Sequence, residues 1–333
     1  MKKFALMKIL ALSAIVVVVI FVGCDREREI ENEEIFQSKF IEELTINNYP
    51  RVDGSTSNLP LNTVIFCELL GIDYQWKQVR LPSSLSFEQW GIEPALYGNN
   101  GNSQNFWDRV KSSQTHQSFI NLIDNKTDLS LSARKMSPDE KEYANINGVT
   151  LIETPIALDA FIFLVNPFFN PITSLTIEEI RDIYTGKITN WNEVGGNDIP
   201  ISPLARNPNS GSQELMESLV MNGLDLAEFP IMEITTMGGV FDAIFYHPAA
   251  ISYTVRYYRE YILRDRHNTK VIAIEGIHPS DETINNRSYP LVANVYAVIR
   301  DDLDKLSMAY KVYEFLQTEE GKQIIAKSGY VPY

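Results

Sequence analysis

Apolar positions are spaced along this chain in two rhythms. From about residue 45 onward, short runs rich in β-branched and aromatic residues alternate with stretches whose apolar residues recur every three or four positions and close on glycine. That alternation predicts an α/β fold. The long apolar stretch 149–165 is interrupted at Pro155, which predicts one strand leaving a first lobe and another entering a second. A further run, Ala249-Ala250-Ile251-Ser252-Tyr253-Thr254-Val255, predicts the return. The expected organisation is a discontinuous first lobe, 45–155 plus 250–333, with a second lobe inserted over 156–249.

Two helix starts are readable from side-chain chemistry alone. Ser137-Pro138-Asp139-Glu140 offers a capping hydroxyl, proline at the first helical position and glutamate at the third. Thr176-Ile177-Glu178-Glu179 repeats the device before Ile180, Ile183 and Tyr184, and Gly186 predicts the stop. Trp191 and Tyr253 read as packing residues.

The first 44 residues follow a different pattern. Lys2, Lys3 and Lys8 precede the uncharged run 9–23, whose fifteen residues fall short of the roughly 20 that a membrane-spanning helix needs. Residues 1–23 therefore read as an export segment. It ends in Phe21-Val22-Gly23-Cys24, which resembles a bacterial lipoprotein cleavage site and implies that Cys24 becomes the lipidated first residue of the exported chain, anchoring it to a membrane. Residues 25–34 are charged or polar apart from Ile30, and predict a solvated tether over 24–44.

Charge narrows the partners. The chain carries 29 Lys+Arg against 43 Asp+Glu, a net −14, and losing 1–23 with its three lysines deepens this to −17. Such acidity excludes holding nucleic acid by a broad basic face. Two cysteines, at 24 and 67, make no disulfide framework and no zinc motif, and the four histidines are scattered. No metal or cofactor is expected, and Cys67 reads as a buried thiol.

The candidate chemistry lies in three Ser/Thr-rich turns ahead of helices. They are Asp53-Gly54-Ser55-Thr56-Ser57-Asn58, Ser112-Ser113-Gln114-Thr115 before Phe119, Ile120 and Ile123, and Arg206-Asn207-Pro208-Asn209-Ser210-Gly211-Ser212-Gln213 before Leu215, Met216, Leu219 and Val220. Each places unpaired amide donors at the positive end of a helix dipole, where an anion can bind without metal. Arg206, four residues before Ser210, adds a planar donor fork. Ser132-Ala133-Arg134, after the expected strand 128–131, offers a second cation. His116 beside Thr115 reads first as structural. No nucleophile elbow, phosphate-binding lysine loop or dinucleotide fingerprint is present, so no catalytic residue is expected.

These residues resemble the solute-binding proteins of phosphate (Pst) ABC transporters. The long matching block is Leu175-Thr176-Ile177-Glu178-Glu179-Ile180-Arg181-Asp182-Ile183-Tyr184-Thr185-Gly186-Lys187-Ile188-Thr189-Asn190-Trp191-Asn192-Glu193-Val194-Gly195-Gly196. Arg206 with Ser210-Gly211-Ser212, Gly54-Ser55-Thr56-Ser57, Ala250-Ile251-Ser252-Tyr253 and Ser288-Tyr289-Pro290-Leu291 extend the likeness over 48–333. The resemblance implies a two-lobed type 2 periplasmic-binding-protein fold with a ligand cleft between lobes. It implies capture of inorganic phosphate for an ABC permease by an exported, lipid-anchored monomer, with another oxyanion or a sensor role as the alternative. The ligand contacts it implies are Ser55, Thr56, Ser57, Arg206, Ser210, Gly211 and Ser212, with Thr115 and Ser132 as looser matches. Where many members place an aspartate after the strand serine, Ala133 and Arg134 stand here.

Overall fold

A computed structural model describes residues 36–79, 89–96, 100–227, 232–265 and 268–333. The export segment, Cys24 and the charged run 25–34 lie outside the described residues. In chain order, β1 (Val52–Gly54) passes through a 3₁₀ turn into α1 (Leu59–Leu70), followed by β2 (Tyr74–Val79), β3 (Gln89–Pro94), α2 (Asn100–Arg109), α3 (Thr115–Ile123), β4 (Leu129–Ser132) and α4 (Pro138–Ile146). The middle of the chain forms β5 (Leu151–Val165), β6 (Ser174–Leu175), α5 (Ile177–Tyr184), β7 (Ser202–Arg206), α6 (Gly211–Leu215) with a π-helical continuation to Met221, β8 (Met232–Ile234), α7 (Gly239–Tyr246) and β9 (Ala250–Val255). The last elements are β10 (Lys270–Val271), β11 (Ala273–Ile274), α8 (Asp281–Asn285), β12 (Val292–Arg300), α9 (Met308–Phe315), α10 (Glu319–Lys327) and β13 (Val331–Pro332).

The main sheet runs β1-β4-β12-β5-β9-β7-β8, with β10 and β13 also on β5. β5 organises it. Its first ten residues pair antiparallel with β12, and residues 161–165 pair antiparallel with β9. The chain was expected to hold two strands here, parted by Pro155. It holds one, because Pro155 sits at a bulge: Val295 faces Ala157 while Tyr296 faces Pro155, so no ladder bond is asked of the proline nitrogen. From Ile156 to Val165 every residue is buried, as a strand covered on both faces requires.

One half of the sheet, β1, β4 and β12 with the start of β5, belongs to the first lobe; the end of β5 with β9, β7 and β8 belongs to the second. The pairing departs from the expected return at 250. β9 lies between β5 and β7, β10 pairs with Val165 and Leu164, and β11 pairs with β6, so residues 250–274 remain with the second lobe. A second correction concerns the tether. Ile41 and Leu44 are buried in the main core, and Gln37 bridges Thr45, so 36–44 is folded onto the body.

Local devices set the element ends as their chemistry demands. Ser137 and Thr176 form reciprocal capping boxes with Glu140 and Glu179. Gly186 takes φ 81° just past α5. Trp191 is buried, its indole N–H donating to the Ala249 carbonyl at 2.9 Å. Cys67 is fully buried, and burial pushes its thiol pKa up, so it stays neutral and unreactive. At Gly54 the backbone passes so close to β4 that an added Cβ would stand 2.4 Å from the Leu131 carbonyl oxygen.

Candidate functional site

A cleft of about 650 Å³ opens between the lobes, at the carboxyl ends of β1, β7 and β8. Such strand ends are where open α/β sheets place ligands, because the helices that follow start there. The first-lobe wall is built by a hydrogen-bonded cluster. The Ser55 hydroxyl accepts the Ala133 N–H at 2.9 Å and lies 2.8 Å from the Thr115 hydroxyl. Whichever of Ser55 and Thr115 donates in that bond, one hydroxyl proton of the pair remains to be given to a ligand. Asp53 aligns the first two turns: one carboxylate oxygen accepts the Gly54 and Ser113 N–H groups, the other accepts Asn121. Thr56, Ser57 and His116 complete this wall.

The second-lobe wall is set by Arg206. Its backbone N–H lies 3.1 Å from the Tyr253 hydroxyl and 3.2 Å from Gln213 Oε1, and its Nε donates to the Ile234 carbonyl at 2.7 Å. The side chain is 5% exposed, yet Nη1 is buried with no partner among the described residues. Burial pushes the guanidinium pKa down, but an arginine keeps its charge. A buried cation facing a cleft with a donor unused is costly unless something arrives to accept it. Ser210 caps α6 by accepting the Gln213 N–H, and Gly211 and Ser212 line the cleft beside it. Gly211 is needed for closeness, since a Cβ there would lie 2.6 Å from Thr115 Oγ1 on the opposite lobe.

Two expected ligand residues stand elsewhere. Arg134 does not line the cleft: its guanidinium is held by Glu140 in a two-pronged ion pair, at 2.7 and 2.8 Å, with both side chains buried. Its Nη2 also donates to the Asn209 carbonyl at 3.1 Å, so Arg134 fastens one lobe to the other. Ser132 is fully buried and donates to the Arg134 carbonyl, closing its own turn. His116 lines the cleft and its Nδ1 lies 3.0 Å from Glu140. Among the described lining residues Arg206 is the arginine, with no lysine beside it.

Comparison with known proteins decides the ancestry. A family model described as a PBP superfamily domain matches residues 98–319. The chain belongs to the PBP superfamily. Among relatives, it is 27% identical over 219 residues to the phosphate-binding protein PstS of Borreliella burgdorferi, covering 64% of this chain and 75% of that one. Among solved structures, it resembles one described as a phosphate ABC transporter substrate-binding protein from Clostridium perfringens with bound phosphate, at TM-score 0.60 and 21% identity, over 86% of this chain and 100% of that one. An ABC-type phosphate transport receptor from Vibrio cholerae matches at TM-score 0.57 and 22% identity, over 84% and 98% of the two chains. These structures share the two-lobed fold of this PBP-superfamily chain.

The PBP-superfamily cleft contains residues that the sequence reading passed over. Thr235, Thr236, Met237, Gly238 and Gly239 open α7 onto it, and the Thr236 hydroxyl accepts the Gly239 N–H at 3.1 Å. A signal existed, since Thr235 and Thr236 precede a helix whose apolar residues include Val240, Phe241 and Ile244, just as hydroxyls precede the helices at the other three turns. Asp242, Gln89 and Tyr258 also line the cleft, with Gln89 Nε2 donating to the Tyr258 hydroxyl at 3.1 Å. Gln89 belongs to no motif, and only the docking of the β2–β3 pair brings it there.

Proposed function

We propose that this chain captures inorganic phosphate in the cleft between its lobes and delivers it to an ABC permease, by closure and without covalent chemistry. The observation that carries this reading is the buried, incompletely partnered Arg206 guanidinium among helix starts. The names of its relatives support it. Ser55, Thr56, Ser57, Thr115, Ser210, Gly211 and Ser212 supply hydroxyls and amides around the anion, and Arg206 supplies the charge. Closure turns on the two places where chain passes between lobes, β5 near Ala160 and the segment after β11. The export segment directs the chain across the membrane and is removed, and a lipid on Cys24 then holds the protein at the membrane's outer face.

Calorimetry on the full-length chain with phosphate, sulfate and molybdate tests the reading. Saturable phosphate binding is expected, with Arg206→Ala weakening it at least about 30-fold, the effect of truncating one partner of a buried charge pair. Sulfate binding without phosphate binding would assign the cleft to another oxyanion; an unchanged Arg206→Ala would remove it from the reading altogether. For the anchor, labelled fatty acid is expected on the native chain and absent from Cys24→Ser. Equal labelling of both would rule out Cys24 as the attachment point.

A further inference from the structure

A second cavity, about 430 Å³, lies away from the cleft and shares none of its lining residues. It is bounded by Pro167 after β5, by Arg256, Arg259 and Glu260 on the segment that follows β9, by Thr269, Lys270 and Val271, and by His278 and Pro279. In a chain of net charge −14, three cations and a histidine around one hollow against a single lining carboxylate run counter to the rest of the molecule. Their present partners leave capacity. Arg256 pairs with Asp281, whose side chain is 66% exposed, so that pair is screened by water. Arg259 pairs through Nη1 with its neighbour Glu260 and donates through Nη2 to the Thr269 carbonyl at 3.3 Å, while its Nε is buried with no partner among the described residues. Lys270 donates to the Asn170 carbonyl, a neutral group.

The observation that points to a ligand is Thr269. It is 3% exposed, lines this cavity, and its hydroxyl has no hydrogen-bond partner among the described residues. Buried polar atoms are nearly always satisfied, so an unmet hydroxyl and an unmet guanidinium nitrogen on one hollow need an explanation. We propose that this cavity is a second anion site, taking a phosphoryl group either as free phosphate or as the end of a small phosphate ester. Two guanidinium forks match tetrahedral oxygens, the Thr269 hydroxyl adds a neutral donor, and the excess of cations over Glu260 matches a dianion.

The experiment uses full-length chain carrying Arg206→Ala, so that binding in the cleft is suppressed. Titration with inorganic phosphate and, separately, with glycerol phosphate is expected to give one saturable event, and the tighter of the two names the source. Adding Arg256→Gln and Arg259→Gln is expected to weaken it at least tenfold. In the otherwise native chain the same two changes are expected to leave binding at the cleft unaltered, which separates this proposal from the function proposed above. Should the multiple variant not fold, acylation of Lys270 in the Arg206→Ala chain, followed by mass spectrometry, gives the answer: slowing by phosphate but not by chloride at equal ionic strength is expected. No saturable event, an event indifferent to both arginines, or no protection of Lys270 would each overturn the proposal.

Discussion

Gln114 shows the cost a single residue bears for the shape of the cleft. It precedes α3 with φ 72° and ψ 162°, a backbone region that glycine enters freely and a side chain enters at a cost of about 1–3 kcal/mol. That geometry presents Thr115 to Ser55. Gln114→Gly is therefore expected to raise stability in denaturant titration, by the relieved strain of about 1–3 kcal/mol less the roughly 0.5–1 kcal/mol that glycine's freedom gives the unfolded chain. A clear loss of stability would mean that contacts of the Gln114 side chain outweigh the strain. Glu140 is the opposite case, one carboxylate with three tasks. It accepts the Ser137 N–H, holds Arg134 from both sides and meets His116. Its first task was readable in the sequence, because a capping box spans four residues. The others depend on which chain segments meet in space, and for that reason the sequence showed Arg134 as a cation beside the turn but not its buried pairing with Glu140.

At the scale of elements, the helix starts do the positioning, and Gly211 is where two of them touch across the cleft. A methyl there would press on Thr115 Oγ1 from the other lobe without disturbing either lobe by itself. Gly211→Ala is thus expected to leave the melting temperature within about 2 °C while weakening phosphate binding severalfold, read by thermal melts and calorimetry. Equal loss of both would place the strain inside the second lobe. Helices and caps were legible from sequence because their determinants are near neighbours. β5 was not, since the bulge that lets Pro155 stand inside a continuous strand is defined by its register against β12, about 140 residues away. The same limit hid the affiliation of β9 to β11, whose apolar runs fit either lobe until their partners are known. The start of α7 was readable and was missed, because no arginine marks it as one marks α6.

For the whole molecule, the passage between lobes contains a buried acid. Asp159 lies in β5 two residues before the first that pairs with β9, and its Oδ1 accepts the N–H groups of Ala160 and of Tyr257, just beyond β9. Burial pushes its carboxyl up to about 7, against the backbone donors and the Arg256 charge that favour ionisation, with Tyr257, Tyr289 and Tyr330 packed nearby. In the unfolded chain the group loses its proton near pH 4, so the native state holds more protons between about pH 4 and 7. The associated stability is present in full below pH 4 and is lost as the pH rises through 7. Asp159→Asn keeps the carbonyl acceptor and removes the titration. It is expected to flatten this part of the curve by a few kcal/mol in denaturant titrations at pH 5 and pH 8, and a variant with the native slope would contradict the assignment.

The contacts that join the lobes across the cleft bear on time rather than on affinity. Gly211 lies against Thr115, Arg134 donates to the Asn209 carbonyl, and Asn209 donates to Asp139 at 3.2 Å. An anion enclosed behind these contacts leaves only when all of them part together. Its dwell time is then a property of the opening motion, while its equilibrium occupancy is governed by Arg206 and the hydroxyls. A partner that pries Asn209 from Arg134 would speed unloading without touching a single group that grips the cargo, which separates the command to release from the chemistry of holding.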